Sequence, residues 1–135
     1  IFCGALGVGL AVFVAMLALS GPKETEVKNL THENGLMFKV NSSEPFQGKA
    51  VMRYPDGQVK NEAQYRDGLR HGEVVSFYPD GTRESEGVMK DGVYHGNVTF
   101  FHPNGHVKSQ ARFYRGSAVS KKNWDEEGSV LSRPE

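Results

Sequence analysis

The chain has 135 residues, its 16 Lys and Arg are balanced by 16 Asp and Glu, and none of these charges falls in the first twenty positions. Zero net charge argues against a nucleic-acid binder, which carries a basic excess. The single cysteine, Cys3, leaves no intramolecular disulfide and no cysteine-based zinc site.

Residues 1–20 are an uninterrupted apolar stretch. As a helix they would span about 30 Å, the thickness of a bilayer core. The expectation is one apolar helix acting as a transmembrane anchor, or a signal peptide cleaved after Ser20, with Ala18 and Ser20 as the small residues before the cut. Either way the remainder is expected outside the cytoplasm: membrane-anchored, or secreted or periplasmic after cleavage. Residues 21–34 open on Gly21-Pro22, which stops a helix, and are polar, as suits an exposed tether.

From residue 35 to 135 the organisation is periodic. Gly48, Gly72 and Gly96 recur every 24 residues, as do Gly57, Gly81 and Gly105, and Gly68, Gly92 and Gly116. Three units follow, 49–72, 73–96 and 97–120, with a partial one at 121–135 and a degenerate opening one at 35–48. The first two agree at ten of 24 positions, sharing Tyr-Pro-Asp-Gly (54–57 and 78–81) and Asp-Gly-x-x-His-Gly (67–72 and 91–96). The third has lost the closing His-Gly, which becomes Val119-Ser120, and the partial unit runs slightly out of phase. Such a period marks a repeat array, whose end units are atypical because one side faces solvent.

Within a unit, short alternating runs lead into turn signals. Ala50, Met52 and Tyr54 alternate with Val51 and Arg53, and Pro55-Asp56-Gly57 follows. Pro presets φ and Gly supplies the positive φ of the return strand. A second strand is expected from about Gln58 to Tyr65, with Asp67-Gly68 as the next turn. Each unit is therefore predicted as two antiparallel strands, and the array as an all-β, elongated antiparallel β-meander of eight or nine short strands. Gly57, Gly68, Gly72, Gly81, Gly92, Gly96, Gly105 and Gly116 are its expected turn residues. Large residues at 65, 89 and 113 (Tyr, Met, Phe) sit beside small ones at 63, 87 and 111 (Ala, Gly, Ala), the pattern of a packed sheet face. Phe77 and Phe101 on one side and Tyr54, Tyr78 and His102 on the other put aromatics on both faces, so aromatic surface is available to a partner.

Tyr65-Arg66-Asp67-Gly68-Leu69-Arg70-His71-Gly72 resembles the Y-x-x-G-x-x-x-G core of MORN (membrane occupation and recognition nexus) repeats. The aromatic-x-x-Gly of 54–57 and 78–81, the Pro45-Phe46-x-Gly48 opening and the Trp124 ending resemble the bacterial MORN-variant family often labelled antitoxin-like. The resemblance covers about residues 35–131. It implies an extended antiparallel meander with a binding role, and the antitoxin label implies a toxin as the protein partner.

No catalytic constellation emerges, so the chain reads as a non-enzyme without cofactor. Of five histidines, His71 and His95 stand one unit apart. Equivalent strands two rungs apart are separated by about 9–10 Å, too far to share one ion, so no metal site is expected. Asp56, Asp67, Asp80 and Asp91 all precede turn glycines, where Asp bonds its own backbone. There is no Gly-x-Ser-x-Gly elbow and no P-loop.

Charge is striped, with unit one at +2, unit two at −3 and unit three at +3. Lys108, Arg112, Arg115, Lys121 and Lys122, interleaved with Phe113 and Tyr114, form the most basic stretch, followed by acidic Asp125-Glu126-Glu127. The expected function is a non-enzymatic protein-binding module tethered to the membrane through residues 1–20; the alternative is a cell-envelope module contacting lipid headgroups or glycans. Candidate partner contacts are the aromatic anchors Tyr54, Phe77, Tyr78, Phe101 and Tyr114, with His71 and His95 beside them. Exposed edge strands allow a partner strand to be added or two copies to pair.

Overall fold

A computed structural model of the protein describes residues 24–131. The expected apolar helix at 1–20 lies outside the described residues. Among those described, no helix is long and apolar enough to cross a membrane.

The described chain is an open, nearly all-antiparallel meander. Its strands are β1 (Thr25–Glu26), β2 (Leu30–Glu33), β3 (Leu36–Lys39), β4 (Gly48–Arg53), β5 (Val59–Arg66), β6 (Leu69–Phe77), β7 (Arg83–Lys90), β8 (Val93–Phe101), β9 (Val107–Tyr114), β10 (Ser117–Trp124) and β11 (Val130–Leu131). One nine-stranded sheet takes the order β1-β4-β5-β6-β7-β8-β9-β10-β11, and β2 and β3 form a separate hairpin. From β4 to β11 every strand pairs antiparallel with the next. Each 24-residue unit thus supplies two strands, as its turn spacing predicts.

The two ends of the strands are closed by two different turns. At one end, Asp67-Gly68, Asp91-Gly92 and Arg115-Gly116 are two-residue loops with positive φ at both positions. The twist of adjacent strands favours such loops, and Gly tolerates the conformation where most side chains do not. At the other end, the amides of Gly57, Gly81, Gly105 and Gly128 donate to the carbonyls of Tyr54, Tyr78, His102 and Asp125. In the first three, Asp56, Asp80 and Asn104 accept from the backbone amides of Gln58, Thr82 and His106, two residues on.

The core lies along one face. Ala50, Ala63, Val74, Gly87, Val98 and Ala111 stand opposite one another across six strands, and the row ends on Lys121. A single layer buries this row because its members are small and larger side chains lean over them. Ala63, Val74 and Met89 form a cluster covered by Tyr65 and Tyr94, and the rings Phe46–Tyr65 and Tyr94–Phe113 pack at 5.5 and 5.2 Å. At Gly87 a Cβ would come within 3.0 Å of Val98 Cγ2; the missing side chain lets Val98 sit at 1 % exposure. The alternation of large and small columns anticipated from the sequence is this packing.

Three features depart from the sequence reading. Part of the 21–34 tether is ordered: Thr25 and Glu26 pair parallel with Ala50 and Val51, followed by a single 3-10 turn, Val27–Asn29. The boundary at 34/35 cuts through a hairpin, since Asn34 and Gly35 are the positive-φ turn joining β2 to β3. Gly72 and Gly96 are not turn residues. They lie inside β6 and β8, where Tyr65 faces Arg70 but Ala63 faces Val74, and Met89 faces Tyr94 but Gly87 faces Val98. The later strand therefore carries two extra residues between the same rungs. The His-Gly pair belongs to that bulge, and positive φ at Gly72 and Gly96 accommodates it.

Candidate functional site

The seven partner contacts expected from the sequence divide between two ends of the strands. Tyr54 and Tyr78 are half-buried, and their hydroxyls donate to the carbonyls of Phe77 and Phe101 at 2.8 Å. His102, the third member of the column, places Nε2 3.0 Å from the carbonyl of Trp124. The column is a series of struts, each tying one turn to the end of the strand a unit later. Burial pushes both tyrosine hydroxyls above the ordinary phenol range, with nearby Glu84 adding to it. Tyr54, Phe77, Tyr78 and Phe101 are therefore engaged with the fold first, and only their remaining ring surface is open to a partner.

His71, His95 and Tyr114 lie toward the opposite end. His71 Nδ1 is 3.1 Å from Asp91 Oδ1, and Arg66 approaches the same carboxylate at 3.6 Å. In the next unit Arg115 stands where Asp91 stood, so His95 has no equivalent acid; its ring lies 6.3 Å from that of Tyr114. Tyr114 is 56 % exposed, with the Arg115 guanidinium 5.4 Å from its ring centre. The structure thus brings together His95, Tyr114 and Arg115, and keeps His71 apart, against Asp91. Among the described residues no group of three or more His, Cys, Asp or Glu is placed to hold a metal ion.

Beside Tyr114 lies an edge strand of the kind expected from the meander. Strand β10 pairs along its length with β9, but on its other side only Asn123 and Trp124 are paired, with Leu131 and Val130. Ser117 to Lys122 are all exposed, and among the described residues they carry no second neighbour strand. Val119, 59 % exposed, sits in a bulge between the rungs Phe113–Ala118 and Arg112–Ser120. This bulge has one extra residue where those of β6 and β8 have two, which is the structural form of the lost His-Gly. The following turn accordingly closes one residue early, at Gly128.

Electrostatics differ between the two ends of the sheet. Lys49 pairs with Glu62 and Glu24, and Arg53 with Glu26; those carboxylates, Glu62 foremost for Lys49 and Glu26 for Arg53, raise both cations above their ordinary values. Arg83 pairs with Glu86. All ion pairs of the described residues lie between Glu24 and Asp91. Lys108, Arg112, Arg115, Lys121 and Lys122 take part in none of them. Asp125, in the adjacent turn, instead accepts from the Ser129 amide at 2.7 Å.

Compared with known proteins, the family model described as MORN repeat variant matches residues 46–67, 70–91 and 94–115. These copies keep the 24-residue step of the sequence units, each beginning three residues earlier. No curated protein and no solved structure gives a significant match.

Proposed function

From a chain that carries three consecutive MORN repeat variants, we propose a non-enzymatic module that holds a protein partner, tethered to a membrane by its apolar segment 1–20 with the repeats outside the cytoplasm. The observation that carries the binding role is the edge of β10 from Ser117 to Lys122, which no described strand covers, with exposed Tyr114 and Val119 beside it. An unpaired strand with aromatic and apolar side chains at hand is a site where backbone hydrogen bonds and side-chain contacts are both available to a partner. In the antitoxin-like version the partner is a toxin, which the sheet blocks by occupying its surface.

The full chain, expressed with an affinity tag and cross-linked in membranes, is expected to retain one specific protein, and Tyr114→Ala with Val119→Asp to release it. Retention unchanged by that pair of substitutions, or no retained protein, overturns the reading. Restored growth on co-expression with a growth-inhibiting partner supports the antitoxin version, and failure removes it.

The basic stretch Lys108, Arg112, Arg115, Lys121 and Lys122 favours a second reading, a module contacting anionic lipid headgroups or glycans. It expects the chain to sediment with anionic vesicles at low salt and to come off as salt rises.

A further inference from the structure

We propose that the β10 edge receives an acidic, extended segment of the partner as an added strand, its backbone pairing with Ser117–Lys122 and its carboxylates facing Lys121 and Lys122. This inference rests on the protein-binding reading and names the chemistry of the partner.

The chain itself shows the arrangement at its opposite edge. There Glu24, Thr25 and Glu26 run along β4 as a short strand, with Thr25 and Glu26 registered on Ala50 and Val51. Their carboxylates pair with the edge cations, Glu24 with Lys49 at 3.0 Å and Glu26 with Arg53 at 2.9 Å. At the β10 edge the cations are present, and among the described residues the acidic strand is not. Lys121 ends the row of small core residues on one face. Lys122 ends the row Val51, Glu62, Val75, Glu86, Thr99, Gln110 on the other. An added strand with acidic residues toward its end therefore meets one lysine on each face. Opposite charges directly across a rung contribute about 0.2–1 kcal/mol each, and the six exposed residues offer a strand about 20 Å long.

Charge also decides against a second copy as the occupant. Two β10 strands paired with each other would bring four lysines onto one seam, and lysines on an edge are a common barrier to such self-pairing. The same lysines that repel a copy attract an acidic strand.

The test uses the full chain in a nonionic detergent and a short synthetic valine-rich peptide carrying two adjacent glutamates, one for each face. Three comparisons are made by calorimetry: the same peptide with lysine for glutamate, the acidic peptide N-methylated at alternate residues, and the chain carrying Lys121→Glu and Lys122→Glu. The acidic peptide is expected to bind about tenfold or more tightly than the lysine peptide, from two cross-strand pairs and the loss of repulsion. N-methylation, which removes backbone donors and keeps the charge, is expected to abolish binding, and the double substitution to reverse the preference. Equal binding of both peptides, or full binding of the N-methylated one, overturns strand addition; the latter leaves a charge-only surface, as anionic vesicles would also detect. A dimer in sedimentation that the double substitution dissolves assigns the edge to a second copy and also overturns the proposal. If the peptides fail while the cross-linked partner of the previous section is still retained, strand addition falls and the protein-binding reading stands.

Discussion

Tyr54 and Tyr78 show how one side chain serves two levels of the fold. Each begins a Pro-Asp-Gly turn and also donates its hydroxyl to a strand end one unit later, so turn chemistry and unit-to-unit spacing are fixed together. Removing the Tyr78 hydroxyl by Tyr78→Phe is expected to cost about 1 kcal/mol, the net value of one such hydrogen bond, and Tyr54→Phe to act in the same direction; urea unfolding checks both. Burial raises the folded-state value of both phenols. Their contribution is therefore fully present below the unfolded-chain value of about 10 and is lost as pH rises through the higher folded value. Alkaline unfolding followed by phenolate absorbance is expected to flatten in the double Phe variant. Alternation along the strands places Tyr54 and Tyr78 in one column, and that much was legible from residue types. Where a hydroxyl ends is not, because it depends on how far apart successive turns stand in the folded sheet.

Among the elements, the β2–β3 hairpin is docked by backbone. Met37 N–H donates to the Gly68 carbonyl, Gly68 N–H to Phe46, and Phe46 N–H to Met37. The second of these recurs down the array, since Gly92 donates to Arg70 and Gly116 to Tyr94. At Gly68 a Cβ would fall 2.9 Å from the Leu36 Cβ and 3.1 Å from the Met37 carbonyl, whereas at Gly105 it would meet nothing within 4 Å. Both have positive φ, at 79° and 88°. Gly105→Ala is expected to lose only the left-handed strain, about 1–2 kcal/mol. Gly68→Ala is expected to lose more, and to speed amide exchange at Met37 by loosening the hairpin. The strands and turns of the repeats were readable because Gly recurs at fixed offsets where φ must be positive. The hairpin carried a local signal too, Asn34-Gly35 between alternating residues, but it stands outside the 24-residue lattice and the polar composition around it suggested a tether. The parallel pairing of Thr25 and Glu26 has no comparable signature: two residues are too few for alternation, and the match depends on cations Lys49 and Arg53 more than twenty positions away.

At the scale of the whole molecule, each strand of the main sheet touches chiefly its neighbours in sequence, so stability is set by local interfaces. Burial is concentrated between β4 and β9, at Ala50, Ala63, Val74, Val98 and Ala111, while Ser117 to Lys122 and β11 are exposed. Amide exchange is expected to be slowest in β6 to β8 and progressively faster through β10 and β11, with Val98→Ala accelerating the centre more than the end; uniform rates across all strands would contradict this picture. The end of the small-residue row on Lys121 also bears on how such an array can lengthen. A copy of residues 73–96 inserted after Gly96 would find every acceptor carbonyl and every bulge glycine at the offset it needs. A copy of residues 82–105 joined after Gly128 would keep its faces, because Lys121 continues the row of Val98 and Ala111, but its equivalent of Gly87 would stand opposite a lysine where Gly87 itself stands opposite Val74. Lengthening from within therefore extends the buried row, whereas lengthening beyond β10 interrupts it with a charge.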